Sequence, residues 1–424
     1  MSRSYPVNPG LVLPGEAGDT PGLKARLARA ERINKTRSLL LVLPLLAFIL
    51  VFFLLPIGSM LMRSVENPTL STQMPRTAQA LLAWDGRELP GEALYASLGE
   101  EMLGLVDSGQ LDLVGSDLNR VRSGLKSLFA KSARELAKAP PPPGGYRSEL
   151  SRIDARWTKL DTWSQLKAMA PTHSAIHYLA ALDLQYDEHG EVVRQPESRR
   201  LYVEVLTKTL GITLGITLLC MVLAYPLAWM LATLPARVAN VLMILVLLPF
   251  WTSLLVRTTA WMVILQSNGV LNATLLKLGL LSQPLDLMFN MTGTVIAMTH
   301  ILLPFMVLPL YSVMKSIDQS YIRAAHSMGA SSLRTFLRVY FPLSLPGLSA
   351  GGILVFILAI GYYITPALVG GRTGQMISNF IAYHMQTSLN WGLAAALGSL
   401  LLLIVLFLYW LYDRVVGISN LKLG

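Results

Sequence analysis

Charged side chains are scarce in this 424-residue sequence. Asp, Glu, Lys and Arg together make up 14% of it, whereas apolar residues make up 53%. A soluble domain carries roughly 25% charged residues, so the deficit argues against an ordinary soluble protein. Several apolar stretches reach the roughly 20 residues that a helix needs to cross a bilayer. The composition therefore predicts an all-α integral membrane protein with several spans.

The sequence also has little that can hold a metal ion or a covalent crosslink. Cys220 is the single cysteine, so neither a disulfide within the chain nor a cysteine metal cluster can form. The six histidines are scattered, and three of them lie in one polar region, at His173, His177 and His189. A membrane-embedded enzyme needs His, Asp or Ser clustered in the membrane. We therefore expect no catalytic residue and no metal site.

Carboxylates are almost missing from the apolar part of the chain. Beyond Glu204 that part contains only Asp286, Asp318 and Asp413, and all three are expected in loops or at helix ends. A stand-alone secondary transporter needs carboxylates within its spans to couple an ion gradient. The scarcity argues against that class.

The phosphate-binding sequence Gly-x-x-x-x-Gly-Lys-Ser/Thr is missing as well. The nearest approach is Gly370-Gly-Arg-Thr-Gly374, which lacks the lysine. We therefore expect that this chain neither binds nor hydrolyses ATP, and that no cofactor binds to it.

The net charge of +10 is unevenly distributed. Residues 66–200 hold 16 Lys and Arg against 18 Asp and Glu, so the basic excess lies beside the apolar spans. An excess of Lys and Arg in short loops is typical of cytoplasmic loops in membrane proteins, rather than of nucleic-acid binding. We predict that both termini are cytoplasmic and that nucleic acid is not a partner.

Hydropathy divides the chain into consecutive segments. They are a cytoplasmic N-terminal segment (1–38), a first transmembrane helix (39–60), a polar region (66–200), a transmembrane core (201–416) with an inner loop (315–345), and a cytoplasmic tail (417–424). The six predicted spans are Leu39–Met60, Val205–Leu231, Val241–Leu265, Met291–Met314, Gly347–Val369 and Leu393–Tyr412.

The polar region 66–200 is predicted to be a mostly helical extracytoplasmic insert between helices 1 and 2. Apolar residues recur at intervals of about 3.6 positions in Leu94–Val106 and Asp117–Ala139, so both stretches are predicted to be helical. The run Pro140–Pro143 predicts a break after them.

The inner loop predicts two short helices. The first covers about Gln319–Met328 and ends at Gly329, which can adopt a left-handed backbone. Ser331 or Ser332 can cap the second helix. Further along, Pro342 and Pro346 are expected to set the angle at which span 5 begins.

This loop resembles the coupling motif of permeases in binding-protein-dependent ABC importers, Glu-Ala-Ala-x-x-x-Gly extended by a Phe and a Pro-x-x-x-Pro-Gly element. The matching positions are Ala324, Ala325, Gly329, Ala330, Phe336, Pro342, Pro346 and Gly347. The resemblance implies that these residues, with Met328 and Arg323, couple the spans to a cytosolic ATPase. Arg323 departs from the family pattern because it stands at the usual acidic position.

Three further stretches resemble the spermidine/putrescine-type permeases. They are Pro249–Trp261, Leu303–Tyr311 and Gly361–Gly371, and the resemblance covers about Leu201–Val416. It implies a type I ABC importer permease fold in the bacterial inner membrane. It also implies an ATPase dimer that binds ATP and magnesium, a periplasmic binding protein, and a second permease subunit. The two permease subunits are either alike or different, and we expect a heterodimer. The insert either receives that binding protein or stiffens the outer rim.

Candidates for the substrate path follow from this resemblance and from the side chains. They are Trp251, Arg257, Trp261, His300, Tyr362, Tyr363 and Thr365. Aromatic faces can hold an amine, at roughly 0.5–2 kcal/mol each, but aromatics also serve as interfacial belts and in helix packing. His300 is expected to pack between helices rather than to carry protons.

Because of Arg257, two classes of substrate remain as alternatives. An arginine in the path would repel a polyamine and attract a carboxylate, which favours a zwitterion such as γ-aminobutyrate as the alternative cargo. Arg257 could instead reach the outer interface or bind a loop carbonyl.

Overall fold

The computed structural model describes residues 21–139, 141, 144–187 and 189–416. The predicted tail, the first 20 residues and most of the Pro140–Pro143 break lie outside these ranges. The chain divides into two compact units between Met60 and Leu61. Helices make up most of the described chain, which confirms the predicted all-α class.

The first unit is a long helical stretch. Helix α1 (Pro21–Ile49) passes through a wider π-helical turn at Leu50–Leu54 into α2 (Leu55–Met62). Pro56 has no N–H to donate, and its ring would crowd the carbonyl of Phe52 in a regular helix. The wide turn directly before Pro56 relieves this conflict, so the helix continues.

The region after the first span is a helical domain with a small ribbon. Its helices are α3 (Pro68–Gln73), α4 (Pro75–Ala83), α5 (Glu92–Asp107), α6 (Leu111–Val121), α7 (Leu125–Lys138), α8 (Tyr146–Ile153), α9 (Leu160–Met169) and α10 (Ile176–Ala181). Strands β1 (Leu184–Tyr186) and β2 (Val192–Arg194) pair antiparallel. The domain has its own core, in which Trp157 and Trp163 are fully buried with ring centroids 5.3 Å apart.

The stretch Asp117–Ala139, predicted to be helical, is not one continuous helix. Two helices, α6 and α7, are separated by a turn in which Gly124 has a φ of 97°. The Gly124 N–H donates to Oδ1 of Asn119 at 2.8 Å. A left-handed glycine bonded to an asparagine side chain stops a helix, although the apolar spacing continues on both sides.

The core consists of further helices in chain order. They are α11 (Tyr202–Thr233), α12 (Ala236–Leu247), α13 (Leu254–Leu265), α14 (Val270–Lys277), α15 (Met291–Ser316), α16 (Gln319–Ser327), α17 (Ser332–Thr335), α18 (Phe341–Gly361), α19 (Ile364–Val369), α20 (Ile377–Gln386) and α21 (Trp391–Val416). Helices α11, α15 and α18 share one buried apolar cluster. A Cβ at Gly347 would lie 2.8 Å from Cβ of Val313, so glycine allows α15 and α18 to approach closely.

Five helices of the described chain are long and apolar enough to cross a membrane. A sixth candidate is the bent pair Ala236–Trp251 and Leu254–Lys277, whose two limbs meet at 100°. The span predicted over Val241–Leu265 is therefore divided by a bend into two limbs. Pro249 lies in a 3-10 turn that ends the first limb, and Oγ of Ser253 accepts the Val256 N–H and starts the second.

The prediction for the start and end of span 5 is wrong. The helix is continuous over Ser332–Gly361 rather than over Gly347–Val369. A π-helical turn at Phe336–Tyr340 widens it just before Pro342. Pro342 stands in the first turn of α18 and Pro346 lies inside it, so neither proline starts the span. The wide turn makes room for their rings and missing N–H groups.

The helical domain is joined to the core at the beginnings of α11 and α21. The buried carboxylate of Asp183 accepts three backbone N–H groups at the start of α11, those of Leu201, Tyr202 and Val203. Oγ of Ser399 donates to the Tyr178 hydroxyl at 2.8 Å. The His177 ring fills the space left by Gly392, where a Cβ would lie 2.3 Å from its Nε2. These contacts fix the domain to the helix ends.

Candidate functional site

Helix α16, in the loop that resembles the coupling motif, has a defined start. The Asp318 carboxylate accepts the Ser320 N–H at 2.8 Å, which caps the helix. This backbone hydrogen bond lowers the pKa of Asp318, and the positive charge of Arg323 lowers it further. The capped start fixes the direction in which α16 leaves the preceding span.

The end of α16 is set by Gly329, as the sequence predicts. Gly329 has a φ of 84°, and the Ala330 N–H donates to the Ala325 carbonyl oxygen at 3.1 Å. This is the usual left-handed glycine termination of a helix. Ser331 follows at the N-cap position of α17, but its side chain makes no capping hydrogen bond.

The predicted coupling residues divide into an exposed set and an anchoring set. The exposed ones on and after α16 are Arg323, Ala324, Met328 and Gly329. Met328 is 81% exposed, and neighbouring Tyr321 and Leu333 are exposed as well, whereas Ala325 is buried. The exposed set forms an apolar surface beside the cation of Arg323, a surface that a protein partner can cover.

The anchoring set consists of Phe336 and Gly347, which connect this surface to the membrane helices. The ring of Phe336 lies 5.9 Å from the ring of Tyr225 on α11. The Tyr225 hydroxyl and Oγ of Ser344 are 2.9 Å apart in a hydrogen bond, and Gly347 packs closely on α15. Tyr225 could not be predicted to belong to this set, because no sequence pattern links it to residues more than 100 positions later.

A second candidate region lies where two helix breaks meet. One is the bend between α12 and α13, and the other is the break between α18 and α19. Oγ1 of Thr258 and Oγ1 of Thr365 are 3.3 Å apart in a hydrogen bond that joins α13 to α19. Non-helical backbone at membrane depth is tolerated where it is buried in protein or lines a cavity, and broken helices mark binding sites in many transporters.

Arg257 and His300 lie in this region. Nη2 of Arg257 donates to the Thr252 carbonyl oxygen at the bend, at 3.0 Å.

His300 is held in one protonation state. Nε1 of Trp261 donates to its Nδ1 at 3.0 Å. Because an indole N–H can only donate, Nδ1 carries no proton and the His300 ring is neutral.

The structure thus brings together most of the predicted path residues. Arg257 bonds to the bend between α12 and α13, and Tyr362 follows the end of α18 at the other break. Thr365 bonds to Thr258 across the two breaks, and Trp261 bonds to His300. Trp251, by contrast, is 87% exposed, and Tyr363 is 39% exposed.

The break between α18 and α19 is held by side chains that the sequence analysis did not single out. Oγ of Ser378 donates to the Tyr362 carbonyl oxygen at 2.6 Å, and Nδ2 of Asn379 donates to that of Tyr363 at 2.7 Å. Both donors lie on α20. Thr258 was missed too, although it follows Arg257 directly. Within the described ranges, no group of three or more metal-ligating side chains occurs.

The core of the chain is similar to known transport proteins. Residues 209–416 match the family model described as "Binding-protein-dependent transport system inner membrane component". The chain is 39% identical over 220 residues to the spermidine/putrescine transport system permease protein PotB of Escherichia coli (strain K12), covering 51% of this chain and 80% of that protein. It is 35% identical over 181 residues to PotB of Haemophilus influenzae, covering 43% and 63%.

Among solved structures, the MetNI methionine ABC transporter in inward facing conformations matches at 18% identity and a TM-score of 0.41, covering 51% of this chain and 94% of that one. The matched residues 209–416 contain both the loop that resembles the coupling motif and the two helix breaks. The identity of 39% to a protein that is covered over four fifths of its length establishes the family. The chain is therefore a transport subunit rather than an enzyme, and it belongs to the inner membrane components of binding-protein-dependent transport systems.

Proposed function

We propose that this chain is the permease subunit of an ABC importer whose cargo is a polyamine, putrescine or spermidine. The observation that carries the proposal is the 39% identity to a spermidine/putrescine permease over 220 residues. The residue types near the helix breaks support it, because Tyr362 follows the end of α18, Trp261 lies on α13, and amines bind the faces of aromatic rings.

The energy for transport comes from a partner. A dimer of ATPase subunits holds ATP and magnesium and docks on the exposed residues of α16. Movement of that helix passes to α11 through Phe336 and Tyr225, and to α15 through Gly347. A second permease subunit completes the path as a heterodimer, and a periplasmic binding protein delivers the cargo.

The topology follows the charge distribution. The protein lies in the bacterial inner membrane with both termini in the cytoplasm, and the 66–200 insert lies outside. The core 201–416 then carries the path, and the loop 315–345 faces the ATPase. Attachment of the insert at Asp183 and His177 supports a role in stiffening the outer helix ends.

The zwitterion alternative is not favoured. Its support was that an arginine in the path would attract a carboxylate and repel a polyamine, whereas the identity of 39% to a spermidine/putrescine permease over 220 residues favours a polyamine.

Uptake of labelled putrescine by cells with and without the gene tests the cargo. We expect uptake to depend on the gene, and unlabelled spermidine to compete far better than γ-aminobutyrate. Stronger competition by γ-aminobutyrate, or uptake that does not depend on the gene, would contradict a polyamine cargo. A strain with the Arg372→Gln variant, altered at an exposed loop residue, serves as the expression control.

A further inference from the structure

We propose that a cavity between the 66–200 insert and the core binds a small oxyanion, a phosphate or a di- or tricarboxylate, between Arg122 and Arg199. The cavity has a volume of about 270 Å³. Its walls come from the turn between α6 and α7, the end of α9, α10, the β ribbon and the start of α21. It shares no residue with the helix breaks or with the loop that resembles the coupling motif, so its ligand does not depend on the cargo.

The lining of this cavity is positively charged. Arg120, Arg122 and Arg199 line it, and no Asp or Glu of the described ranges does. Burial lowers the pKa of His177, the lining histidine, to about 4, so its ring is neutral at pH 7. Most of the other polar side chains in the lining are neutral amides, namely Asn119, Gln165, Gln185, Gln195 and Asn390. Amides can donate to an oxyanion and arginines add positive charge, so the lining favours an anion.

The guanidinium of Arg122 lacks a close partner. Its side chain is 25% exposed, and its Nη2 lies 3.5 Å from Oδ2 of Asp161. Its Nη1 donates to Oε1 of Gln185 at 3.3 Å. Nitrogen and oxygen atoms in a well-formed arginine–carboxylate pair are about 2.7–2.9 Å apart, so both contacts of Arg122 are long. This partly dehydrated cation can gain stronger hydrogen bonds from an oxyanion in the cavity.

Arg199 contributes a second cation without a charged partner. It is exposed, and none of the ion pairs between described residues includes it. Arg120, by contrast, is paired with Asp117. Arg199 and Arg122 repel each other, and this repulsion adds to the effect of burial in lowering the pKa of Arg122. An anion between the two guanidinium groups replaces repulsion by attraction, and phosphate or citrate has oxygens for both.

The cavity is recessed, which favours a free ion over the surface of another protein. Met169, His177 and Asn390 line it and are only 1%, 8% and 7% exposed. A ligand must enter the cavity to contact these walls, and a water molecule takes about 30 Å³, so the space admits an ion of several non-hydrogen atoms. Asn390 lies directly before α21 and its Nδ2 donates to the Arg120 carbonyl oxygen. A bound anion would therefore add to the contacts between insert and core.

Equilibrium dialysis of the purified full chain against radiolabelled inorganic phosphate, and separately against radiolabelled citrate, tests the site. We expect saturable binding of at least one ion by the wild type. Arg199→Gln should weaken that binding at least about tenfold, because it removes a charged donor. Arg194→Gln is the matched control, since Arg194 is an exposed arginine of β2 that does not line the cavity, and it should bind like the wild type.

The thermal midpoint gives a second measurement. An ion that binds only the folded chain raises the midpoint until the site is saturated. Phosphate and citrate also stabilise proteins without a site, but that effect does not saturate and is shared by all variants. The saturable part of the rise, measured against sodium chloride at equal ionic strength, should be present in the wild type and in Arg194→Gln and absent in Arg199→Gln.

Equal affinity of wild type and Arg199→Gln, or no saturable binding of either ion by the wild type, would overturn the inference. If Arg199→Gln does not fold, Arg122→Lys replaces it. This variant keeps the charge but loses the planar guanidinium, so it should also bind more weakly, and wild-type affinity would overturn the inference. If neither free ion binds but Arg199→Gln weakens binding of the periplasmic binding protein, the cavity takes a carboxylate of that protein and the free-ion site is wrong.

Discussion

Gly329 connects a backbone conformation to the proposed coupling role. Its φ of 84° belongs to the left-handed region, and a Cβ there would meet no heavy atom within 4 Å. A side chain at this position is therefore strained by the backbone alone, at a cost of about 1 kcal/mol. It would also project from an exposed surface that we propose meets the ATPase.

We expect Gly329→Asp to fold and to abolish ATP-driven uptake, because it disturbs the end of α16 and adds a negative charge to the docking surface. Gly144→Asp is the matched control, since Gly144 also has a φ of 84° and free space, but lies in the insert. The measurements are membrane expression and polyamine uptake. Normal uptake by a well-expressed Gly329→Asp protein would remove the coupling role from this position.

The stability of the fold is expected to depend on pH through His177, which lies where the insert contacts the core. Burial lowers its pKa from 6.5 to about 4. The neutral form therefore stabilises the fold fully above pH 6.5, and this contribution is lost as the pH falls from 6.5 towards 4. The loss amounts to about 3 kcal/mol at most.

The thermal midpoint of the purified chain should therefore decrease when the pH is lowered from 7.5 to 4.5, and His177→Gln should make that decrease smaller. His173→Gln, at an exposed histidine of the same region, should leave it unchanged. Equal pH dependence in wild type and His177→Gln would show that His177 does not titrate in this range.

At the scale of the helix, the sequence predicts where a long helix occurs better than it predicts where the helix bends or stops. Apolar length is enough to place the long helices α11, α15 and α21 near their predicted ranges. It cannot show the 100° bend at Thr252, because both limbs of the bend are equally apolar. The left-handed turn at Gly124 was hidden for a similar reason, since helical spacing continues across it.

In the candidate site, too, local features follow from the sequence and long-range contacts do not. The coupling loop is local, so the ends of α16 followed from residues a few positions apart. The group around Arg257 joins α13, α15 and the break after α18, and only folding brings His300 within reach of Trp261. The sequence suggested the members of this group but not the hydrogen bonds between them.

The start of α11 depends on a residue outside that helix. Asp183 supplies the carboxylate that its first N–H groups would otherwise lack, and helix N-termini favour such an anion. Asp183→Asn should lower the free energy of unfolding by about 1–2 kcal/mol, while asparagine still tolerates the φ of 57°.

Denaturation of the purified chain in detergent measures this loss. Asp112→Asn is the control, because Asp112 is exposed and lies 3.9 Å from its Lys126 partner. A loss for Asp183→Asn no greater than for Asp112→Asn would show that the insert does not stabilise the core through this contact.

At the scale of the whole molecule, the chain is one subunit of a transport system. It carries a membrane core that belongs to the importer family, a surface suited to a partner, and a helical domain fixed to the core through Asp183 and His177. Transport therefore requires a partner that supplies energy and, under the proposal, another that supplies cargo.

The most direct test is transport by the purified assembly. Proteoliposomes containing this chain with its partner permease and ATPase should accumulate labelled spermidine only when ATP is on the ATPase side and the binding protein is on the other. Accumulation that persists without ATP or without the ATPase would contradict the account, as would a complete system that accumulates no spermidine.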